Sequence, residues 1–479
     1  MAYCETGWYR ASPVALQHLI VSAHGFGRRL VRRGRLFRKL LDDLEAQQWL
    51  SQGELEELQN EKLRALIEHC HQRVPYYREV MRDRGLTPRD IRTSGDLHKL
   101  PFLTKDTIRT QGSRLCREDL PRRKVARART AGTTGTPLEF VRDVYSINFE
   151  NASIWRQRRA AGFRFGERMI RMPGEFVVSP DVSSPPYWRH NWADNRLVLS
   201  RLHASSDTAA EYAQAMRLFG ARALFTYASG AYRLAQMVRE TSEDVSIDLT
   251  FTSSEPLYPH MRREIEEVFS STVYDYYGQT ERVVFAWECD VHEGLHLAPE
   301  YGVTELVEPE DEAPEGQLEL VGTSLHNYAM PLIRYRTGDL TRRLEGQCPC
   351  GRATPRICPI DARVVSTILT PEGRRIGPLE LIRVMTTADG IVRSQLVQQA
   401  PDRFKVRVVA APGFDEQQSD RIVKGIRAVL HSDVRVSVER VDEIPRDRSG
   451  KYRWVVSEID ASGSGPRAAG EDAQDVGRD

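Results

Sequence analysis

Between residues 120 and about 340, short runs rich in β-branched and aromatic residues alternate with amphipathic helical stretches, and no other feature constrains the fold more. "ARALFTYASGAYRLAQMVRE" and "MRREIEEVFSSTVYDYYG" show the pattern in both orders. Such alternation requires helices covering a substantially parallel sheet, because neither element buries its apolar face alone. Before it, residues 1–115 read as a helical region. Ser51 and Glu54 form a capping-box start, Pro75 is a stop, and "SGDLHKLPFLTK" (94–105) is a turn-rich connector. After it, "RFKVRVVAAP", "DEQQSDRIVKGIRAVLHS" and "VRVSVERVDEI" read as a strand, a helix and a strand. The expected fold class is therefore α/β. A large N-terminal domain of layered sheets and helices (1–360) is followed by a small, separable α+β domain (361–460) and a disordered tail (461–479).

Bulk properties exclude several classes of function. The chain has 479 residues and a formal net charge of +1, which gives no global pull toward nucleic acid. No apolar run approaches the ~18 residues of a membrane span, and no secretory leader is legible. Seven cysteines, several clustered near position 350, fit a reducing, cytoplasmic setting better than a disulfide framework. The basic segment 27–41, "GRRLVRRGRLFRKLL", reads as a solvated helix packed on the body by an apolar stripe; peripheral contact with an anionic membrane surface is the alternative.

Four short stretches carry candidate chemistry. In "RTAGTTGTPLEF" (129–140), Gly132 and Gly135 let phosphate oxygens approach the backbone, while Thr133, Thr134 and Thr136 add hydroxyl donors. A plain turn between strands would look similar. In "YDYYGQTE" (274–281), an aromatic ring can lie on a nucleobase while Glu281 reaches a divalent cation; a strand ending in a surface glutamate is the alternative. Asp339 of "IRYRTGDL" can accept the two hydroxyls of a ribose, or cap its own turn. "IPRDRSGKYRW" presents Lys451 on a flexible tip, as a charge-neutralising group or as part of a solvated hairpin.

In this order, the motifs resemble the adenylate-forming superfamily of acyl-CoA synthetases, specifically its phenylacetate–CoA ligase branch and the capsular-polysaccharide-biosynthesis type within it. "RVPYYRE", "KLPFLTK", "CPCGRATPRI" and "SGKYRWVVSEI" carry the resemblance to that branch, over roughly residues 45–460. It implies that ATP activates a carboxylic acid as an acyl-adenylate with loss of pyrophosphate, and that the acyl group then passes to coenzyme A. An amine acceptor, giving an amide, and a non-catalytic scaffold of the same fold are the alternatives. It further implies that Thr130, Gly132, Thr133, Thr134, Gly135 and Thr136 bind the ATP phosphates. Ser254, Glu255, Tyr276, Tyr277, Gly278 and Thr280 would flank the nucleotide, with Asp339 and Arg363 at the ribose. Glu281 would hold Mg2+, and Lys451 would bridge the carboxylate and the α-phosphate.

Two departures stand out. Thr136 occupies a position where many superfamily members carry lysine, so the missing charge is expected from magnesium and from arginines such as Arg336 or Arg363. "IDARVV" (360–365) keeps only Arg363 of the usual hinge pattern. The acid site is expected at Tyr227, Ala228, Ser229 and Tyr277, with Phe285 and Trp287 just beyond, pointing to an aromatic or medium-sized hydrophobic acid. Cys289, His296, Cys348 and Cys350 form the expected structural zinc set, Cys358 competing as fourth ligand; relatives in the branch imply the same metal.

Overall fold

The computed structural model describes residues 6–120, 125–129, 138–174, 177–310, 313–360, 362–363, 367–386, 388–411, 413–430, 434–444 and 452–459. Thr130 to Thr136, Lys451 and the tail 461–479 lie outside the described residues, as do the side chain of Arg363 and most of the "IDARVV" stretch.

Two helices begin as their sequences dictate. The Ser51 amide donates to Glu54 Oε2 at 2.8 Å, and the Ser51 hydroxyl accepts the Glu54 amide, starting helix Gln52–Arg73. Pro75 then opens the next helix, Pro75–Asp83, at its first position, where a missing N–H costs nothing.

The central sheet has ten strands among the described residues. Five are parallel: Arg196–Leu199, Met169–Met172, Ala223–Thr226, Leu249–Ser253 and Thr272–Gly278, in that spatial order. Alternation along each strand sorts the core into two layers. Leu224 joins a cluster with Leu234, Ile265 and Phe269 from the helices of one face. Ala223 and Phe251 pack instead with Phe37, Leu41 and Trp155 from helices Arg35–Gln47 and Val144–Ala160 on the other.

Beyond residue 280 the parallel pattern stops. Strands Phe285–Trp287, Leu295–Leu297 and Arg356–Ile357 extend the sheet antiparallel. Strands Gly302–Val307, Leu318–Ser324, Tyr335–Thr341 and Ala362–Arg363 form a separate antiparallel sheet. In the C-terminal part, strand Arg403–Ala410, helix Glu416–Leu430 and strand Arg435–Arg440 form the expected strand–helix–strand unit with parallel strands. Strands Ile391–Ala400 and Val455–Ser457 complete a four-stranded sheet.

A nucleotide-type cleft and a buried thiol–imidazole cluster

The parallel strands deliver three candidate segments to one edge of the sheet. Tyr227–Ala228–Ser229 follows strand Ala223–Thr226, Ser254–Glu255 follows Leu249–Ser253, and Tyr276–Tyr277–Gly278 ends Thr272–Gly278. Loops at the carboxyl ends of parallel strands are where open α/β sheets bind ligands. Ser254 is exposed and held at a positive φ of 70°, a sharp break out of the sheet. Glu255 Oε2 accepts the Ser229 amide at 3.0 Å, tying the second loop to the first turn of helix Ala228–Arg239. Phe285 and Trp287 are fully buried, so they belong to the core rather than to a substrate wall.

Asp339 arrives from the antiparallel sheet. Tyr277 Oη donates to Asp339 Oδ2 at 2.6 Å, which joins "YYGQTE" to "RTGDL". Gly338 sits at φ 75°, a conformation side chains resist, and its amide donates to buried Glu319 at 3.0 Å. The Asp339 amide donates to Thr337 Oγ1, so backbone and carboxylate are both fixed. Arg363 lies directly across from Asp339 in strand register. Tyr335 Oη donates to Glu281 Oε1 at 3.0 Å, orienting that carboxylate.

The charge expected from Arg336 is spent elsewhere. Its guanidinium pairs with buried Glu319 and with Glu310, and stacks on Phe102 at 4.9 Å, so the strand it anchors is what it serves. A different arginine, missed from sequence, stands nearer. Arg142, on the strand leaving the Thr/Gly loop, donates to the carbonyl of Thr280. Burial and neighbouring Arg282 pull its pKa down to about 10, against the pull of Glu150, Tyr301 and Glu281. Its signal in the sequence was only its place five residues beyond the loop.

Trp454, three residues after Lys451, packs edge-on against His260 and Tyr258 at 5.5 and 6.3 Å. Trp454 is thereby seated at the start of helix Pro259–Phe269.

The "CapK C-terminal domain" family model matches residues 368–458. Protein CapK of Staphylococcus aureus is 23% identical over 461 residues, covering 94% of this chain and 99% of its own. Phenylacetate-coenzyme A ligase of Thermus thermophilus is 26% identical over 440 residues, with 85% and 97% covered; that of Aromatoleum evansii is 29% identical, with 86% and 97% covered. The chain is thus similar to CapK and to phenylacetate–CoA ligases over most of its length. The fold agrees: the crystal structure of 2-hydroxyisobutyryl-CoA ligase in its postadenylation state superposes with a TM-score of 0.67. The two are 21% identical over 85% of this chain and 90% of that one. The CapK match covers more of the chain than either ligase match, and the matched C-terminal model carries the same name.

The chain also gathers the four expected thiol and imidazole ligands. Donor atoms of Cys289, His296, Cys348 and Cys350 all lie within 4.8 Å of one another. The Cys289–Cys348 sulfur separation is 3.7 Å and that from Cys350 Sγ to His296 Nε2 is 3.4 Å. Typical zinc bond lengths give tetrahedral edges of about 3.8 and 3.5 Å for these pairs, so the set fits the metal. Thr354 Oγ1 lies 2.8 Å from His296 Nδ1 and fixes the ring, as outer partners of metal ligands do. Burial, reinforced by Arg352, Arg356 and Arg156, pulls His296 down to about 4, keeping the imidazole neutral as a ligand must be. Cys358 is outside the cluster, its backbone paired with Arg342 and Thr341.

Proposed function

We propose that this protein is an ATP-dependent acid–thiol ligase, which converts a carboxylic acid to an acyl-adenylate and then to its coenzyme A thioester. The Tyr277–Asp339 hydrogen bond carries the reading, because it draws two motifs 62 residues apart into one pocket at the carboxyl edge of the sheet.

In the first half-reaction a substrate carboxylate oxygen attacks the α-phosphorus, the bond to the β-phosphate oxygen breaks, and pyrophosphate leaves. Catalysis of this step is mainly positioning and charge stabilisation. Backbone amides and hydroxyls of Thr130–Thr136 would grip the leaving phosphates, with Arg142 behind them offsetting the lysine absent at Thr136. Asp339 would accept the ribose hydroxyls, and Arg363, opposite in register, would reach the ribose or phosphates. Tyr276, Tyr277 and Gly278 would flank the base and acid, with Ser254 on the adenine side. Glu281 would hold magnesium, which neutralises phosphate charge when bound. Lys451 would bridge the attacking carboxylate and the α-phosphate. In the second half-reaction a thiolate attacks the acyl carbon and AMP departs. The thiol–imidazole cluster lies among core residues and would hold a structural zinc with no part in either step.

Acid-dependent ATP–pyrophosphate exchange without any acceptor tests the first half. AMP release that then requires coenzyme A tests the second. Exchange absent with every acid, in folded protein that fails to bind AMP, would overturn the ligase reading; turnover with an amine that ignores coenzyme A would overturn the choice of acceptor.

A further inference from the structure

The basic segment 27–41 lies over a cavity of whose lining the proposed chemistry uses only Tyr276. Helix Val14–Arg32 lies along edge strand Trp188–Asn191, where His18 Nδ1 accepts the His190 amide and Ser22 Oγ the Trp192 amide, each at 3.0 Å. Beneath it is a cavity of about 280 Å³. Its roof carries Arg28, Arg29, Arg32 and Arg33, its wall Arg158, and its sheet floor Arg171 and Arg196. Among the described lining residues seven carry guanidiniums and one, Asp194, carries a carboxylate. That carboxylate is already shared between Arg33 at 3.4 Å and Arg196 at 3.6 Å.

Arg158 is the telling residue. It is only 6% exposed, its guanidinium lies over Phe225 at 4.5 Å and Trp155 at 5.3 Å, and its Nε is buried without an acceptor. No carboxylate among the described residues pairs with it. A charged group is rarely taken out of water without a partner, because the lost hydration must be replaced. Burial, with Arg171 and Arg33 adding to it and Tyr276 opposing, lowers its pKa to about 10, and burial lowers that of Arg196 to about 9. Stacking occupies the faces of the Arg158 guanidinium and leaves its in-plane N–H groups, the geometry that binds carboxylate and phosphate oxygens in pairs. The cavity also reaches Tyr276, the neighbour of the tyrosine that holds Asp339.

We propose that this cavity binds a compact oxyanion carrying two or more negative charges, a phosphate or clustered carboxylates, presented on the distal end of the acid substrate or as a free ion.

Calorimetry with inorganic phosphate, on the full chain saturated with AMP to occupy the nucleotide cleft, tests it directly. One phosphate per chain is expected, with affinity falling as sodium chloride is added. Arg158→Met should weaken binding at least tenfold, and Asp194→Asn should tighten it severalfold by releasing Arg33 and Arg196. Unchanged affinity in a folded Arg158→Met, or weaker binding in Asp194→Asn, overturns the proposal. Should Arg158→Met not fold, the double variant Arg28→Met/Arg32→Met carries the same expectation and the same refutation. A second arm rests on the ligase reading and finds the source of the anion. In pyrophosphate exchange, Arg158→Met should raise KM for an acid bearing a terminal phosphate at least tenfold more than for its unphosphorylated parent if the anion is part of the substrate. Loss of phosphate binding with both acids affected equally marks a free ion. The calorimetric arm needs no activity, so failure of the ligase reading leaves it intact.

Discussion

Replacing Tyr277 with phenylalanine removes one oxygen and tests how Asp339, the proposed ribose acceptor, is held. The lost contact is a 2.6 Å hydrogen bond to a carboxylate that is 2% exposed. Hydrogen bonds to charged groups contribute about 1.5–3 kcal/mol, and leaving a buried acceptor short of a donor costs a similar amount. Asp339 keeps its backbone anchors, the bond from its amide to Thr337 and its strand pairing, so the fold should survive with a modest loss in melting temperature. The penalty should fall on the free orientation of the carboxylate, and so on nucleotide binding. At about 1.4 kcal/mol per decade, AMP affinity should drop roughly 10- to 100-fold. Calorimetry with AMP, and KM for ATP in pyrophosphate exchange, measure it. AMP affinity within twofold of the parent would mean that the hydroxyl does not organise this aspartate, and the link between the two motifs would lose its functional meaning.

Three further outcomes are expected. Elemental analysis of the purified chain should find one zinc, and Cys348→Ser should lose it together with several degrees of melting temperature; zinc-free protein of unchanged stability would refute the metal. Lys451→Ala should slow acid-dependent exchange on the order of 100-fold while AMP still binds, the scale of losing one charge-stabilising donor; exchange within threefold of the parent would remove the lysine from the mechanism. Burial, with Arg263 adding to it, pulls His260 from 6.5 down to about 4. The folded state therefore binds fewer protons than the unfolded one between those values. Stability is full above pH 6.5 and falls as pH drops toward 4, by at most about 3 kcal/mol before solvent screening is discounted. In His260→Phe, melting curves across this range should show a shallower acid limb, and an identical limb would refute the assignment.

Features encoded over a few residues could be read directly. The Ser51 capping box, the stop at Pro75 and the C-terminal strand–helix–strand unit each depend on neighbours in sequence. The cysteine cluster was legible too, because only a few thiols and imidazoles offer themselves as ligands. What stayed hidden depends on pairing across long separations. Arg336 looked like an available cation beside "TGDL", yet Glu319, reached only through antiparallel strand register, consumes it. The strands between residues 280 and 363 pair antiparallel, which no local period distinguishes from the parallel run before them. Segment 27–41 keeps the exposed basic face and the buried apolar stripe read from it, but the pairing of Arg33 with Asp194, 161 residues away, was not legible. The apolar wall expected at Phe285 and Trp287 proved to be core, since aromatic residues at a strand end look alike whether they face a ligand or a neighbouring helix.

The pairing of Asp339 with Arg363 has a mechanical consequence. Only residues 364–367 separate Arg363 from the strand Ile368–Leu369, where the matched C-terminal module begins. Fully stretched, four residues span about 14 Å. The start of the module is therefore held within that distance of strand Ala362–Arg363, the neighbour of the strand that carries Asp339.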